Sequence, residues 1–179
     1  MNDTATMKTP QLWAVEDDPG MQKTLDDIFS RLGCAVTTFS SAEEALESLE
    51  KGFRPDILIL DFRLPGMSGP ELFRILCLDN RWRNIPVTPF TSQLDDEEEY
   101  SPCASEWAAL ASQLSPSRGT WFVPCVRKIQ GDEFNIPERL ILSVGNILKT
   151  IPVGLPKPFE EYILKLVSSA MEGMNSRDQ

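Results

Sequence analysis

The carboxylates Glu16, Asp17 and Asp61, the hydroxyl of Thr91 and the ammonium of Lys157 each stand at the end of an apolar run that reads as a strand. The sequence has no histidine. A His base, a His metal ligand and a phosphohistidine are therefore excluded, and any chemistry falls to carboxylates, hydroxyls and lysine. Three carboxylates within about 5 Å of one another repel by roughly 3 kcal/mol per pair at an effective dielectric near 20. Either some of them hold a proton or a divalent cation sits among them. An all-oxygen ligand set favours a hard cation, and an incomplete cage that leaves room for water and phosphate favours Mg²⁺. Such a site suits phosphoryl transfer. A carboxylate attacks phosphorus to give an acyl phosphate, while a metal, a lysine and a hydroxyl neutralise the phosphoryl oxygens.

The elements that must position these groups follow a regular rhythm. Gln11–Glu16 reads as a buried strand ending in acids. Pro19–Leu32 carries Met21, Leu25, Ile28, Phe29 and Leu32 on one helical face, and Gly33 stops it. Cys34–Phe39 is a β-rich run. Ser41-Ala42-Glu43-Glu44 forms a capping box ahead of Ala45, Leu46 and Leu49. Asp56–Leu60 is nearly all apolar, as a strand buried on both faces should be, and it leads into Asp61. A third helix is expected from about Gly69 to Leu78, then a strand over Ile85–Phe90 ending at Thr91 and Ser92. Alternating strands and helices predict a parallel sheet covered on both faces, with its site at the carboxyl ends of the strands. Asp18 reads as a helix N-cap rather than a ligand.

The rhythm breaks after Ser92. Asp95–Glu99 is an acidic run, and Trp107, Leu110, Ala111 and Leu114 share helical spacing. Thr120–Val126 fits a strand, confined to an edge by Pro124. A helix marked by Leu140, Val144, Ile147 and Leu148 follows Pro137. A fifth strand is expected over Ile151–Leu155 and an amphipathic helix from Tyr162 to Met171.

Composition narrows the class. The chain has 179 residues, 41% apolar and 25% charged, as in an ordinary globular domain. A net charge of −10 argues against direct nucleic-acid binding, because nothing basic would neutralise phosphates. No signal peptide or long apolar run marks a membrane segment. Four cysteines without C-x-x-C spacing fit free thiols, and a cytoplasmic location is expected.

The stretches LWAVEDDPGM, DILILDFRLPGMSG, RWRNIPVTPFTS and LPKPFEEYI carry a resemblance. Over residues 10–93 and 136–171 the chain resembles the receiver domain of two-component response regulators. That resemblance implies a doubly wound, five-stranded parallel sheet of flavodoxin type in the order 2-1-3-4-5. It implies Glu16 and Asp17 as the acid pair and Asp61 as phospho-acceptor. Mg²⁺ would be held by Glu16, Asp17, Asp61 and the backbone carbonyl of Arg63. Thr91 would bind phosphate and switch, and Lys157 would pair with phosphate beside a cis Lys157–Pro158 bond. The implied partners are a histidine kinase or phosphotransfer protein upstream and an unnamed protein downstream; a second copy of the chain is expected as a partner only if the apolar faces around Trp107–Leu114 and Trp121–Val126 are not covered within the chain. The resemblance implies no enzyme beyond the domain's own phosphorylation and dephosphorylation.

Residues 1–9 are expected to be a tail, 10–171 the receiver-like domain, and 172–179 a second tail too short for an output module. Three departures stand out. An insert occupies about 94–135, where a short loop is usual; it is expected to fold, and it reads either as a tolerated surface insertion or as a rebuilt partner surface. Gly154 takes a position commonly held by an aromatic switch residue. Pro89 lies in an interior strand, where a local distortion is expected. A second function is a receiver fold without phosphorylation, a constitutive interaction module acting through the insert. A haloacid-dehalogenase-like phosphatase needs a second acid two residues after the nucleophile, and Arg63 stands there instead.

Overall fold

The computed structural model describes residues 8–91, 109, 125–126 and 138–175. Strand β1 is Gln11–Val15, helix α1 Pro19–Arg31, β2 Ala35–Phe39, α2 Ala42–Glu50, β3 Ile57–Asp61, α3 Gly69–Leu78 and β4 Val87–Thr91. The two-residue β5 is Cys125–Val126, and helices α4 and α5 cover Glu138–Thr150 and Lys157–Asn175. The four longer strands lie parallel in the order β2-β1-β3-β4, and β5 continues the sheet beside β4. This is an α/β architecture with helices on both faces of a parallel sheet, as the resemblance implies.

Side-chain alternation divides the core into two layers. Leu12, Ala14, Ile57, Ile59 and Phe90 face α1, α4 and the start of α5, packing on Met21, Leu25, Phe29, Val144, Ile147 and Phe159. Trp13, Val15, Leu58, Leu60 and Val87 face α2 and α3, packing on Ala45, Leu49, Leu72, Phe73 and Leu76. Every residue of β3 is buried, which is why its sequence is apolar without alternation up to Asp61. Helix starts follow their local chemistry. Asp18 caps α1 by accepting from Met21 N at 2.8 Å, with Pro19 in the first turn. Ser68 and Glu71 form a capping box on α3.

Three expectations are corrected. Ile151–Leu155 is not a strand. Gly154 N–H donates to Ile151 O at 3.1 Å, closing a turn, and Gly154 has φ of 75°. Pro152 favours that turn, and the positive φ is one that glycine adopts without steric cost. The place beside β4 belongs instead to Cys125–Val126, which fall within the edge strand expected over 120–126; the rest of that run lies outside the described residues. No described peptide bond is cis, so Lys157–Pro158 is trans, and both residues lie in the first turn of α5, where a trans proline is well accommodated. Nor does Pro89 break β4, whose register with β3 runs from Leu58↔Val87 to Asp61↔Phe90. Leu58 N–H bonds Pro86 O at 2.9 Å, so alternate residues of β4 face β3 and Pro89 is not among them. Its missing N–H therefore takes no bond from that ladder. The helix expected around Trp107–Leu114 and the rest of the insert lie outside the described residues, apart from Ala109, which has helical backbone, and β5.

Candidate metal centre

Val15 pairs with Leu60, so the next residues in each strand direction, Glu16 and Asp61, come level at the carboxyl end of the sheet. One carboxylate oxygen from each of Glu16, Asp17 and Asp61 lies within 4.8 Å of the others. Glu16 and Asp61 are 1% and 3% exposed, whereas Asp17 faces solvent. Burial pushes the Glu16 carboxyl up to about 8, and the charge of Asp61 pushes it the same way, with smaller contributions from Asp17 and Asp18. A bond from Asp18 N–H to Glu16 Oε1 at 3.2 Å opposes this. Glu16 Oε2 is buried and has no hydrogen-bond partner among the described residues. A buried acceptor without a donor is costly, and it is the atom that a cation would satisfy.

Backbone contacts fix the groups in place. Glu16 N–H bonds Phe39 O at 3.0 Å, and Glu16 O accepts from Gln22 Nε2 on α1. Gln22 Nε2 also reaches Ser40 Oγ at 3.1 Å, tying the end of β2 to the same point. Asp61 Oδ1 accepts from Phe62 N at 2.7 Å, which sets the carboxylate's rotation. Gly69 lies so close to Asp61 that a Cβ would strike the Asp61 carbonyl oxygen. Its N–H bonds Phe62 O at 3.1 Å, closing the loop between β3 and α3.

The sequence-predicted residues are brought together only in part. Glu16, Asp17 and Asp61 form the cluster. Arg63 lies two residues past Asp61 in the β3–α3 loop, with an exposed side chain. Thr91 ends β4, one residue beyond the Phe90 that pairs with Asp61. Lys157 is elsewhere. A Cβ on Gly33 would come within 2.8 Å of Pro156 Cβ, so the segment leading to Lys157 rests against the turn before β2. That is the amino end of the sheet, and five-residue strands put roughly 16 Å between the two ends. Gln22 and Glu43, which brace the site through backbone atoms, were not singled out from sequence. Glu43 belongs to a capping-box pattern, but nothing in the sequence marks its contact with the β3–α3 loop.

The donor set fits a hard divalent cation: it is all oxygen, has a buried unpartnered acceptor and is open to solvent at Asp17. Comparison with known proteins decides the family. The response regulator receiver domain family matches residues 12–105, just over half of the chain. The chain belongs to the response regulator receiver family. Among curated relatives of this receiver chain, the C4-dicarboxylate transport transcriptional regulatory protein DctD of Rhizobium meliloti is 36% identical over 106 residues, 56% of this chain and 23% of that protein. DNA-binding transcriptional regulator NtrC of Escherichia coli is 33% identical over 84 residues, 47% of this chain and 17% of its own length. The chain thus spans a quarter or less of these relatives. Among solved structures, chemotaxis response regulator CheY4 of Vibrio cholerae superposes with a TM-score of 0.58 at 22% identity, covering 79% of this chain and all of that one. That likeness shows the receiver fold.

Proposed function

We propose that this receiver accepts a phosphoryl group on Asp61 in a Mg²⁺-dependent reaction and signals through protein–protein contact. Receiver domains are signalling modules rather than conventional enzymes, and the donor in this reading is a histidine kinase or a phosphotransfer protein. The observation that carries the reading is the acidic cluster with its buried, unpartnered Glu16 Oε2. Glu16, Asp17, Asp61 and the Arg63 carbonyl would hold Mg²⁺, and Thr91 would meet the phosphoryl oxygens. Bound Mg²⁺ supplies positive charge to the phosphoryl oxygens and offsets the repulsion between them and the carboxylates. Asp61 attacks phosphorus, forming an O–P bond as the P–N bond to the donor imidazole breaks. The Phe62 N–H keeps Asp61 Oδ1 in place during this attack. A cytoplasmic location belongs to this reading. Among the described residues no helix is long and apolar enough to cross a membrane.

Acetyl phosphate, a small acyl phosphate, tests the reading. With Mg²⁺ the intact mass is expected to rise by one phosphoryl group, and without Mg²⁺ or in Asp61→Asn it should stay constant. An unchanged wild-type mass with donor and Mg²⁺ would favour the constitutive interaction module instead.

Lys157 is the second test. From its place at the start of α5, with an exposed side chain, it cannot neutralise the phosphoryl group unless residues 151–158 move to the carboxyl end of the sheet. Lys157→Met is therefore expected to change the rate of phosphorylation by less than about threefold. A loss of the 10²-fold size expected for a charge in contact with a transferring phosphoryl group would put Lys157 at Asp61.

A further inference from the structure

The loop from Phe62 to Ser68 carries the Arg63 carbonyl, and α2 holds it from outside. Glu43 Oε1 accepts from Met67 N at 2.7 Å, a contact across 24 residues of sequence. The same oxygen lies where a Cβ on Gly66 would come within 2.5 Å of it. Gly66 has φ of 76°, so the loop turns back on itself there in a conformation suited to glycine. The carboxylate therefore covers the turn and bonds the amide just after it. On the other side, the Gly69 N–H to Phe62 O bond and the Ser68–Glu71 capping box fix the loop to α3. Between these two anchorages lie Arg63, Leu64 and Pro65, of which Leu64 is buried and the others are exposed.

We infer that Glu43 is a positioning residue for the centre: through Met67 N and the Gly66 turn, it holds the β3–α3 loop so that the Arg63 carbonyl stays in register with Asp61. This rests on the proposed Mg²⁺ role of the cluster. Glu43 acts as an acceptor rather than as a charge, so a neutral acceptor of the same length should replace it. Groups that orient metal ligands commonly alter affinity by an order of magnitude. The Glu43 contact is solvent-exposed, which reduces its weight.

The test uses the full chain, with Glu43→Ala and Glu43→Gln, and two readouts. Amide exchange at Met67 in the absence of metal reads the clamp itself. Calorimetric titration with Mg²⁺ alone reads its consequence. In Glu43→Ala, Met67 is expected to exchange about tenfold faster or more, with core amides of β1 and β3 unchanged, and Mg²⁺ binding to weaken about threefold to tenfold. Glu43→Gln should stay within about twofold of the wild type in both. Three results would overturn the inference: Met67 exchange unaltered in Glu43→Ala, faster exchange with unchanged Mg²⁺ affinity, or Glu43→Gln behaving like Glu43→Ala. A wild type that binds no Mg²⁺ would remove the metal reading and the positioning role together. Unaltered Met67 exchange in a protein that does bind Mg²⁺ would remove the clamp alone.

Discussion

At pH 9 and without divalent cation, Glu16→Gln is expected to be more stable to unfolding than the wild type by about 2–4 kcal/mol. Glu16 sits almost wholly out of solvent beside Asp61, and its carboxyl is pushed up to about 8 from an ordinary 4.5. The folded state therefore keeps this proton over a range in which the unfolded chain has released it. Stability from Glu16 is full below pH 4.5, falls as pH rises, and is lost once pH passes about 8. The total is at most roughly 5 kcal/mol, less where water enters the site. Glutamine removes the ionisation and can donate its amide to a neighbouring carboxylate. For a domain of this size the gain corresponds to a melting temperature higher by about 5–10 °C. Below pH 4.5 the two proteins should be nearly equal. With Mg²⁺ in excess the gap should narrow or reverse, because the ion stabilises the wild type more than a variant lacking one charged ligand. Denaturant melts at pH 4 and pH 9, with and without Mg²⁺, measure all of this. Equal stabilities at pH 9 would mean that the carboxylates are not under electrostatic strain.

Asp17→Asn is expected to weaken Mg²⁺ binding by at least about tenfold while leaving the apo fold almost unchanged. Asp17 faces solvent, so its loss should cost little packing, but its carboxylate oxygen is one of three that converge within 4.8 Å. Water would complete the octahedral shell that these oxygens leave open, and the wild-type affinity should already be weak. Calorimetry of the two proteins is the check, and equal heats would remove Asp17 from the metal site.

Much of this arrangement is legible in the sequence because it depends on local rules. The strand that ends at Asp61 is marked by an apolar run without alternation, and both its faces are buried. Helix α3 has the expected bounds, Gly69–Leu78, because Ser68, Pro70 and Glu71 define its first turn unambiguously. The N-cap reading of Asp18 follows from its place before Pro19. The expected fifth strand over Ile151–Leu155 depended on a weaker signal. Its Ile, Val and Leu suit a strand, but Pro152 and Gly154 suit a turn equally well, and the turn is what forms. Lys157 shows the corresponding weakness of a motif. Pro-Lys-Pro marks the kind of segment but does not say to which end of the sheet it is carried. Gln22 and Glu43 were illegible for a different reason. Both are polar residues on helix surfaces, and their contacts with Glu16 O and Met67 N depend on how α1 and α2 are rotated against the sheet. Hydrophobic periodicity sets which face of a helix is buried, but it does not select which flanking polar group reaches a particular amide or carbonyl.

The claim that Asp61 carries the phosphoryl group is tested most directly by locating it. Protein treated with acetyl phosphate and Mg²⁺ is reduced with borohydride, which converts an aspartyl phosphate to homoserine, and is then digested and sequenced by mass spectrometry. Homoserine is expected at position 61, and is expected to be absent when Mg²⁺ is withheld. Homoserine at Asp17 or another carboxylate, or no conversion in a sample whose mass has risen by one phosphoryl group, would contradict it.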